Sequence, residues 1–146
     1  KGDDRFETSQ PNYTFNKSKK KVTTKYNTTD KELEDTNAVV DGKNVLDADG
    51  NQVMIEGLKS KWIKQIKKTA YNKLTETDWY VLRKTEGVDI PENITEQRTA
   101  IRTDCKTIED KIIACKTMTA FKKLFIAPTD DDGNPTGNAP IDDWTI

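Results

Sequence analysis

The residue types that most often carry catalysis or bind metals are scarce in this chain. Its 146 residues include no histidine, the commonest general base and metal ligand. Cys105 and Cys115 fall on apolar positions of a helical pattern, where burial makes a thiol inert. Their ten-residue spacing corresponds to about 15 Å of helix, too far for a disulfide within one helix, while one between chains stays open. No carboxylate spacing marks a catalytic pair. We therefore expect no enzyme activity, no cofactor and no metal.

Two Asp-x-Asp-Gly-Asn sequences, at residues 47–51 and 130–134, invite comparison with calcium-binding loops. Counted from the first aspartate, the sixth and twelfth positions of the first loop are Gln52 and Leu58, where an EF-hand has glycine and glutamate. The second sequence fails as well, because its matching first ligand would be Pro128. Both sequences are therefore predicted to form turns.

Composition and charge limit the classes of function. Hydrophobic residues make up 33% of the chain and charged residues 34%, which predicts a modest core with solvated or partner-bound flanks. The net charge of −1 is not that of a general nucleic-acid binder. The charge is uneven, with six lysines and no acid in residues 57–74, and five aspartates and no base in residues 127–146. These stretches are either two solvated faces or surfaces that steer contacts between chains.

The first third of the chain shows β-hairpin patterns, after residues 1–10, which we expect to be an unpatterned lead. Residues 12–26 alternate around a polar turn at residues 16–19. The side chains predicted on one face are Tyr13, Phe15, Val22, Thr24 and Tyr26. So thin a hairpin must lie against another surface. A second hairpin is predicted from Val45-Leu46 to residues 53–55, with its turn at Asp49-Gly50.

A helix is predicted over residues 57–74. Its apolar stripe recurs every four residues and consists of Leu58, Trp62, Ile66, Ala70 and Leu74, widened by Ile63. The opposite face carries Lys61, Lys64, Lys67 and Lys68. A helix that faces the core and exposes its lysines accounts for this pattern. The alternative is a basic helix that binds a phosphate backbone or an anionic membrane surface.

A corner is predicted after this helix. Thr77 is a suitable N-cap, and Asp78 lies in the first turn of a short second helix. Gly87 is a suitable stop, and Pro91 suits the first turn of a third helix. The apolar positions of the third helix are Ile94, Ile101, Cys105, Ile108, Ile112 and Cys115. We expect it to fold back on the first helix, with Trp79 as a buried wedge at the bend.

The chain is predicted to end in a short helix over residues 119–126 and an acidic tail. Ile141, Trp144 and Ile146 form an apolar hook in this tail, which we expect to dock on the parent domain or on a neighbouring subunit. The predicted fold class is therefore α+β, in three segments. These are an N-terminal arm with β-hairpins (residues 1–56), a helical hairpin module (57–126) and an extended acidic tail (127–146).

The segment of residues 70–102 resembles the C-terminal helical module of tailed-phage tail-fibre assembly chaperones and related tail-associated virion proteins. The matching residues are Asn72, Leu74, Thr77, Asp78, Trp79, Pro91, Arg98, Ala100, Ile101 and Arg102. The β-hairpin and the turn at residues 47–51 look like upstream parts of such proteins in marine and cyanobacterial phages. Two features depart from the family: Gln97 replaces the usual aromatic residue, and the acidic tail has no counterpart.

The resemblance implies a non-enzymatic structural protein of the phage tail or tail fibres. It would be made in the host cytoplasm and located in the virion, in several copies within a symmetric assembly. Its partners would be tail or fibre subunits, rather than small molecules, nucleic acid or membranes. A transient tail-fibre assembly chaperone is the alternative function within the family. Outside the family, the alternative is a module that binds nucleic acid or an anionic surface through the Lys-rich helix. The expected structural and interaction residues are Trp62, Thr77, Asp78, Trp79, Arg98, Arg102 and Trp144.

Overall fold

The computed structural model of the chain describes residues 6–8, 12–25 and 28–145. It has the predicted α+β class, with small antiparallel strand pairs followed by helices. The chain divides into a β unit, Lys1–Leu58, and a helical unit, Lys59–Ile146. The tail that was predicted as a separate segment belongs to the helical unit.

The β unit begins with two strand pairs, formed by β1 (Phe6–Thr8), β2 (Asn12–Asn16), β3 (Lys21–Lys25) and β4 (Thr28–Asp30). The predicted hairpin is confirmed, because β2 and β3 are antiparallel, with Tyr13 opposite Thr24 and Phe15 opposite Val22. Tyr26, assigned to the same face, lies outside the described residues. Strand β1 pairs with β4, so residues 6–8 are not an unpatterned lead. The rest of the lead lies outside the described residues.

The second β region contains more strand pairing than the sequence predicted. Strand β5 (Thr36–Asn37) pairs with β8 (Met54–Ile55), and β6 (Val39–Val40) pairs with β7 (Lys43–Asn44). The predicted turn at residues 47–51 is confirmed by a bridge between Leu46 and Gln52. Sequence reasoning missed the turn at Asp41-Gly42, where φ is 51° and 74°. Positive φ at both central residues suits a tight hairpin turn of the kind that Asp-Gly favours.

The β unit closes where residues 57 and 58 meet residues 32–35. The Gly57 amide donates to Oδ1 of Asp35 at 2.8 Å, and the Leu58 amide donates to the carbonyl of Glu32 at 2.9 Å. A Cβ atom on Gly57 would overlap the backbone of Leu33 and Glu34. A glycine is therefore required for this close approach.

The helical unit is built on an antiparallel helical hairpin, as predicted. Its helices are α1 (Leu58–Thr75), α2 (Asp78–Lys84), α3 (Glu92–Ala114) and α4 (Met118–Lys123). Lys59 Nζ, near the start of α1, donates to the carbonyl of Ile113 at the end of α3, at 3.1 Å. Farther along, Lys67 pairs with Glu109 at 3.4 Å. These contacts fix α1 and α3 in opposite directions. No helix in the described part of the chain is both long and apolar enough to cross a membrane.

The core of the helical unit follows the predicted stripes on α1 and α3. Its buried apolar side chains are Ile66, Ala70, Ile101, Ile108, Ile112, Cys115, Phe121 and Ile141. An aromatic row extends this core, because Phe125 packs edge-on against Phe121 and Trp62, with ring centroids 5.3 and 4.6 Å apart. Helix α4 thereby covers the open end of the helical hairpin.

The C-terminal tail docks on the helices of its own chain. Ile141 is buried, and its amide donates to the carbonyl of Leu124 at 3.0 Å. Farther on, the amide and hydroxyl of Thr145 donate to the two carboxylate oxygens of Asp104, at 2.8 and 3.0 Å. Of the two predicted docking sites for the hook, these contacts select the parent domain. A buried isoleucine and a double hydrogen bond thus hold residues 141–145 against the helices, whereas Ile146, the last residue of the predicted hook, lies outside the described residues.

Candidate interaction site

The corner between α1 and α2 is organised by Thr77, although not in the predicted way. Thr77 occupies the N-cap position of α2, but its side chain makes no capping hydrogen bond. Instead its hydroxyl donates to the carbonyl of Leu74 at 3.1 Å and accepts a hydrogen bond from Arg98 at 2.7 Å. Thr77 therefore marks the corner correctly, while its hydroxyl satisfies the end of α1 rather than the start of α2.

Arg98 on α3 joins the three parts of the corner. Nη1 donates to the carbonyl of Leu74 at 2.8 Å and to the hydroxyl of Thr77, while Nη2 donates to Oδ1 of Asp78 at 2.9 Å. The Leu74 carbonyl belongs to the last turn of α1, where carbonyls lack helical partners. Arg98 is only 8% exposed, and the planar fork of a guanidinium suits several acceptors at once. One side chain thus fixes α2 relative to both long helices.

The position of Arg98 continues the row of apolar residues on one face of α3, here called the apolar seam, which runs from Ile101 to Cys115. The seam residues beyond Ile101 repeat at intervals of four and three, and the same rule extended backwards reaches positions 98 and 94. Only apolar residues were assigned to the predicted face of this helix, so Arg98 was not among them. A charged residue on a seam position, beside a corner that leaves backbone carbonyls without partners, is the signal that could have identified this contact.

The prediction that Trp79 is a buried wedge is wrong. Its side chain is 47% exposed, and none of the α2 residues is buried. Successive residues of a helix point about 100° apart, so an Asp78 directed at Arg98 turns the next residue away from the corner. The Arg83 guanidinium lies 5.3 Å from the centroid of the Trp79 ring, on the outside of the unit. The buried side chains at the bend are Thr77 and Arg98 instead.

Helix α2 therefore presents an apolar outer surface. We define the elbow surface as the exposed side chains of Trp79 and Leu82, which lie three residues apart on one face of α2; Leu82 is 69% exposed. Exposed apolar patches on soluble proteins commonly mark sites of protein–protein contact, and tryptophan is over-represented among the residues that dominate binding energy. Because Arg98 holds the base of α2, this surface is presented on a fixed element.

The remaining predicted interaction residues are dispersed. Trp62 packs against Phe125 next to the core, and Trp144 in the tail is half-buried, with Lys73 Nζ 5.7 Å from its ring centroid. Arg102 is exposed and donates to the carbonyl of Arg98 at 3.3 Å, beside an open groove of about 300 Å³. The structure thus brings Thr77, Asp78 and Arg98 together. The two other tryptophans are more buried than Trp79.

The two thiols lie in unreactive settings. Burial and the neighbouring Glu109, which accepts from Cys105 Sγ at 3.2 Å, raise the pKa of Cys105 to about 11. Burial also raises the pKa of Cys115, whose Sγ donates to the carbonyl of Lys111 at 3.3 Å. Both cysteines are free thiols. Within the described ranges, no group of three or more His, Cys, Asp or Glu side chains is arranged to hold a metal ion.

The two Asp-x-Asp-Gly-Asn sequences form the predicted turns. Oδ1 of Asp47 accepts the amides of Asp49 and Asn51 at 2.9 and 2.8 Å. In the second turn, Oδ1 of Asp130 accepts the equivalent amides at 3.1 and 2.7 Å. The hydrogen bond from the backbone N–H of the asparagine is the main cause that lowers the pKa of each of these carboxyls. The carboxylates are thus used within their own turns.

Comparison of the chain with protein-family models, with curated proteins and with solved structures finds no match. The functional interpretation therefore depends on the geometry described above and on the sequence resemblance.

Proposed function

We propose that this chain is a non-enzymatic structural protein of a bacteriophage particle, associated with the tail or tail fibres, and that the elbow surface binds a neighbouring subunit. The observation that carries the proposal is the outward apolar face of α2, held at its base by Arg98. The resemblance of the same segment to tail-associated proteins supplies the class of partner.

The energetics of the elbow surface support a binding role. A helix without buried residues gains little from packing within its own unit, whereas its apolar side chains are available to a partner. Because Arg98 already orders α2 through Asp78, a partner would not have to fix this helix on binding. An ordered apolar surface with a central tryptophan has the composition expected of an interface centre.

Mass spectrometry of purified particles, from the phage that encodes the chain, tests the proposal. We expect the chain in mature particles, in a fixed ratio to a tail or fibre protein. The double variant Trp79→Ala, Leu82→Ala should reduce incorporation into particles at least about tenfold, because it removes the centre of the interface.

The matched control is the double variant Tyr71→Ala, Ile113→Ala, which removes two large exposed side chains outside α2. It should incorporate normally. Absence of the chain from mature particles would refute the structural role. If fibres were also misassembled when the chain is deleted, that absence would identify the assembly-chaperone alternative. Equal loss in both double variants would refute the assignment to the elbow surface.

A further inference from the structure

The hairpin formed by β2 and β3, here called the basic hairpin (residues 12–25), has an apolar face open to solvent. Tyr13 is 70% and Phe15 is 58% exposed, and Val22, directly opposite Phe15, is exposed as well. Side chains that face each other across an antiparallel pair lie on the same side of the sheet. A two-stranded sheet gains too little from its own contacts to be stable alone, so this face requires a covering surface.

The charge of the basic hairpin restricts what can cover it. Residues 12–25 contain five lysines and no acidic residue. Three of these lysines, Lys17, Lys19 and Lys20, are exposed at the tip. The same hairpin from another copy would bring like charges together, which disfavours pairing of two identical hairpins. An acceptable partner has an apolar patch beside carboxylates.

The helical unit carries such a surface. Its acidic hairpin (residues 128–136) is closed by the bridge between Thr129 and Pro135 and by a 2.8 Å hydrogen bond from the Thr136 amide to the carbonyl of Pro128. Asp131 and Asp132 are exposed at its tip, and Ile126, just before it, is 62% exposed. No basic residue occurs in residues 127–146. Because the turn is already ordered, little entropy would be lost when it binds.

We propose that the chain associates head to tail with a second copy of itself, the acidic hairpin and Ile126 of one copy covering the apolar face and basic tip of the other. Two different surfaces meet in such a contact, so repetition gives either a reciprocal two-fold dimer, in which the contact occurs twice, or a ring or filament. The contact is separate from the elbow surface, and the purified chain alone tests it. Its failure is therefore distinguishable from failure of the virion role.

Sedimentation of the purified full chain over a range of concentrations tests this contact. We expect concentration-dependent oligomers at low salt that dissociate at high salt, since charge pairs at an exposed interface are screened. The variants Lys17→Glu, Lys19→Glu and, separately, Asp131→Lys, Asp132→Lys should each weaken association at least about tenfold. Asp130 is left intact because it forms the turn. Position 131 tolerates exchange, because Ala48 occupies the equivalent site in the other turn.

The decisive result is the combination of both charge reversals in one chain. It restores opposite signs across the contact, so the association constant should return to within about threefold of the original value. The control is Lys61→Glu, Lys68→Glu, which changes the net charge by the same amount as Lys17→Glu, Lys19→Glu. Because these lysines lie on the exposed face of α1, the control should leave association unchanged. A chain that is monomeric at every concentration, an association that salt does not affect, or a combined variant that stays dissociated would each overturn the proposal.

Discussion

In the helical unit, eight apolar side chains are almost closed to solvent, whereas in the β unit Gly57 and Leu58 are the only buried residues among those that the structure describes. The β unit instead exposes large apolar residues on its hairpins. Its described backbone is ordered by strand pairs of two to five residues and by tight turns. The helical unit thus has a core that stabilises it, while the β unit depends on local hydrogen bonds and on whatever covers its apolar faces.

Matched phenylalanine substitutions give the largest contrast between the two units. Phe121→Ala removes a ring with no exposed area from the helical core and should lower the free energy of unfolding by about 3–5 kcal/mol. Phe15→Ala removes an exposed ring from the basic hairpin and should cost less than about 0.5 kcal/mol in the isolated chain at low concentration. Urea denaturation followed by circular dichroism measures both values. Equal losses would show that the hairpin face is covered within the chain.

The difference in burial between the two units also explains how much of each could be predicted from the sequence. Leu58, Ile66 and Ala70 recur at helical spacing because one face of α1 packs against the core along its length. This regular spacing made the helical hairpin predictable. The Asp41-Gly42 turn was missed because its strands have only two residues each, too few to show an alternating pattern. The hydrogen bonds from Thr145 to Asp104 could not be predicted, because these residues lie 41 positions apart and belong to no repeating pattern.

The corner shows where periodicity is misleading. Trp79 was predicted to fill the bend, and Arg98 was considered only as part of the family resemblance. In the structure the geometry of hydrogen-bond acceptors decides the arrangement, since Leu74, Thr77 and Asp78 provide three acceptor oxygens, more than the single N–H of an indole can serve. Sequence patterns report apolar faces well, but they do not report backbone carbonyls that need a donor.

Arg98→Ala is expected to have the next largest effect, confined to the helical unit. It leaves the buried hydroxyl of Thr77 without its donor and frees α2, at a cost of about 2–3 kcal/mol. The larger cost typical of a fully buried ion pair does not apply, because water reaches the half-exposed Asp78. Thermal denaturation measures the loss, and Arg102→Ala, which removes an exposed arginine from the same helix, is the control. A similar loss in the control would contradict the special role assigned to Arg98.

Gly57→Ala tests a place where the described part of the β unit is tightly packed. The added Cβ overlaps the backbone of residues 33 and 34, which cannot move as freely as a side chain, so the cost should be about 1–3 kcal/mol. Gly137→Ala in the helical unit is the control, because its Cβ would lie 3.5 Å from Pro128 in ordinary contact. Urea denaturation of both variants makes the comparison. A neutral Gly57→Ala would mean that the β unit yields easily even at its closest approach.

The two Asp-x-Asp-Gly-Asn turns give the smallest effects, and they compare the units most directly, because the same five-residue motif occurs once in each. Asp47→Ala and Asp130→Ala each remove the acceptor of two backbone amides, so the Asn51 and Asn134 amides should exchange with solvent faster, and to a similar degree. Hydrogen exchange followed by NMR measures both rates. If only one turn responded, the unit around the motif, rather than the motif itself, would determine the turn.

Acid should act on both turns in the same direction. The amides that each carboxylate accepts lower its pKa in the folded chain, so the unfolded chain takes up the proton at the higher pH. The contribution of each carboxylate is therefore present above the ordinary aspartate pKa of 3.8 and is lost as the pH falls below it, through the lowered pKa. An NMR titration should show both carboxyls titrating below 3.8, with the Asn51 and Asn134 amides losing their hydrogen bonds over the same range. A pKa at or above 3.8 for either carboxyl would remove the explanation of that turn, because a carboxylate that accepts two amides must be easier to ionise than one in water.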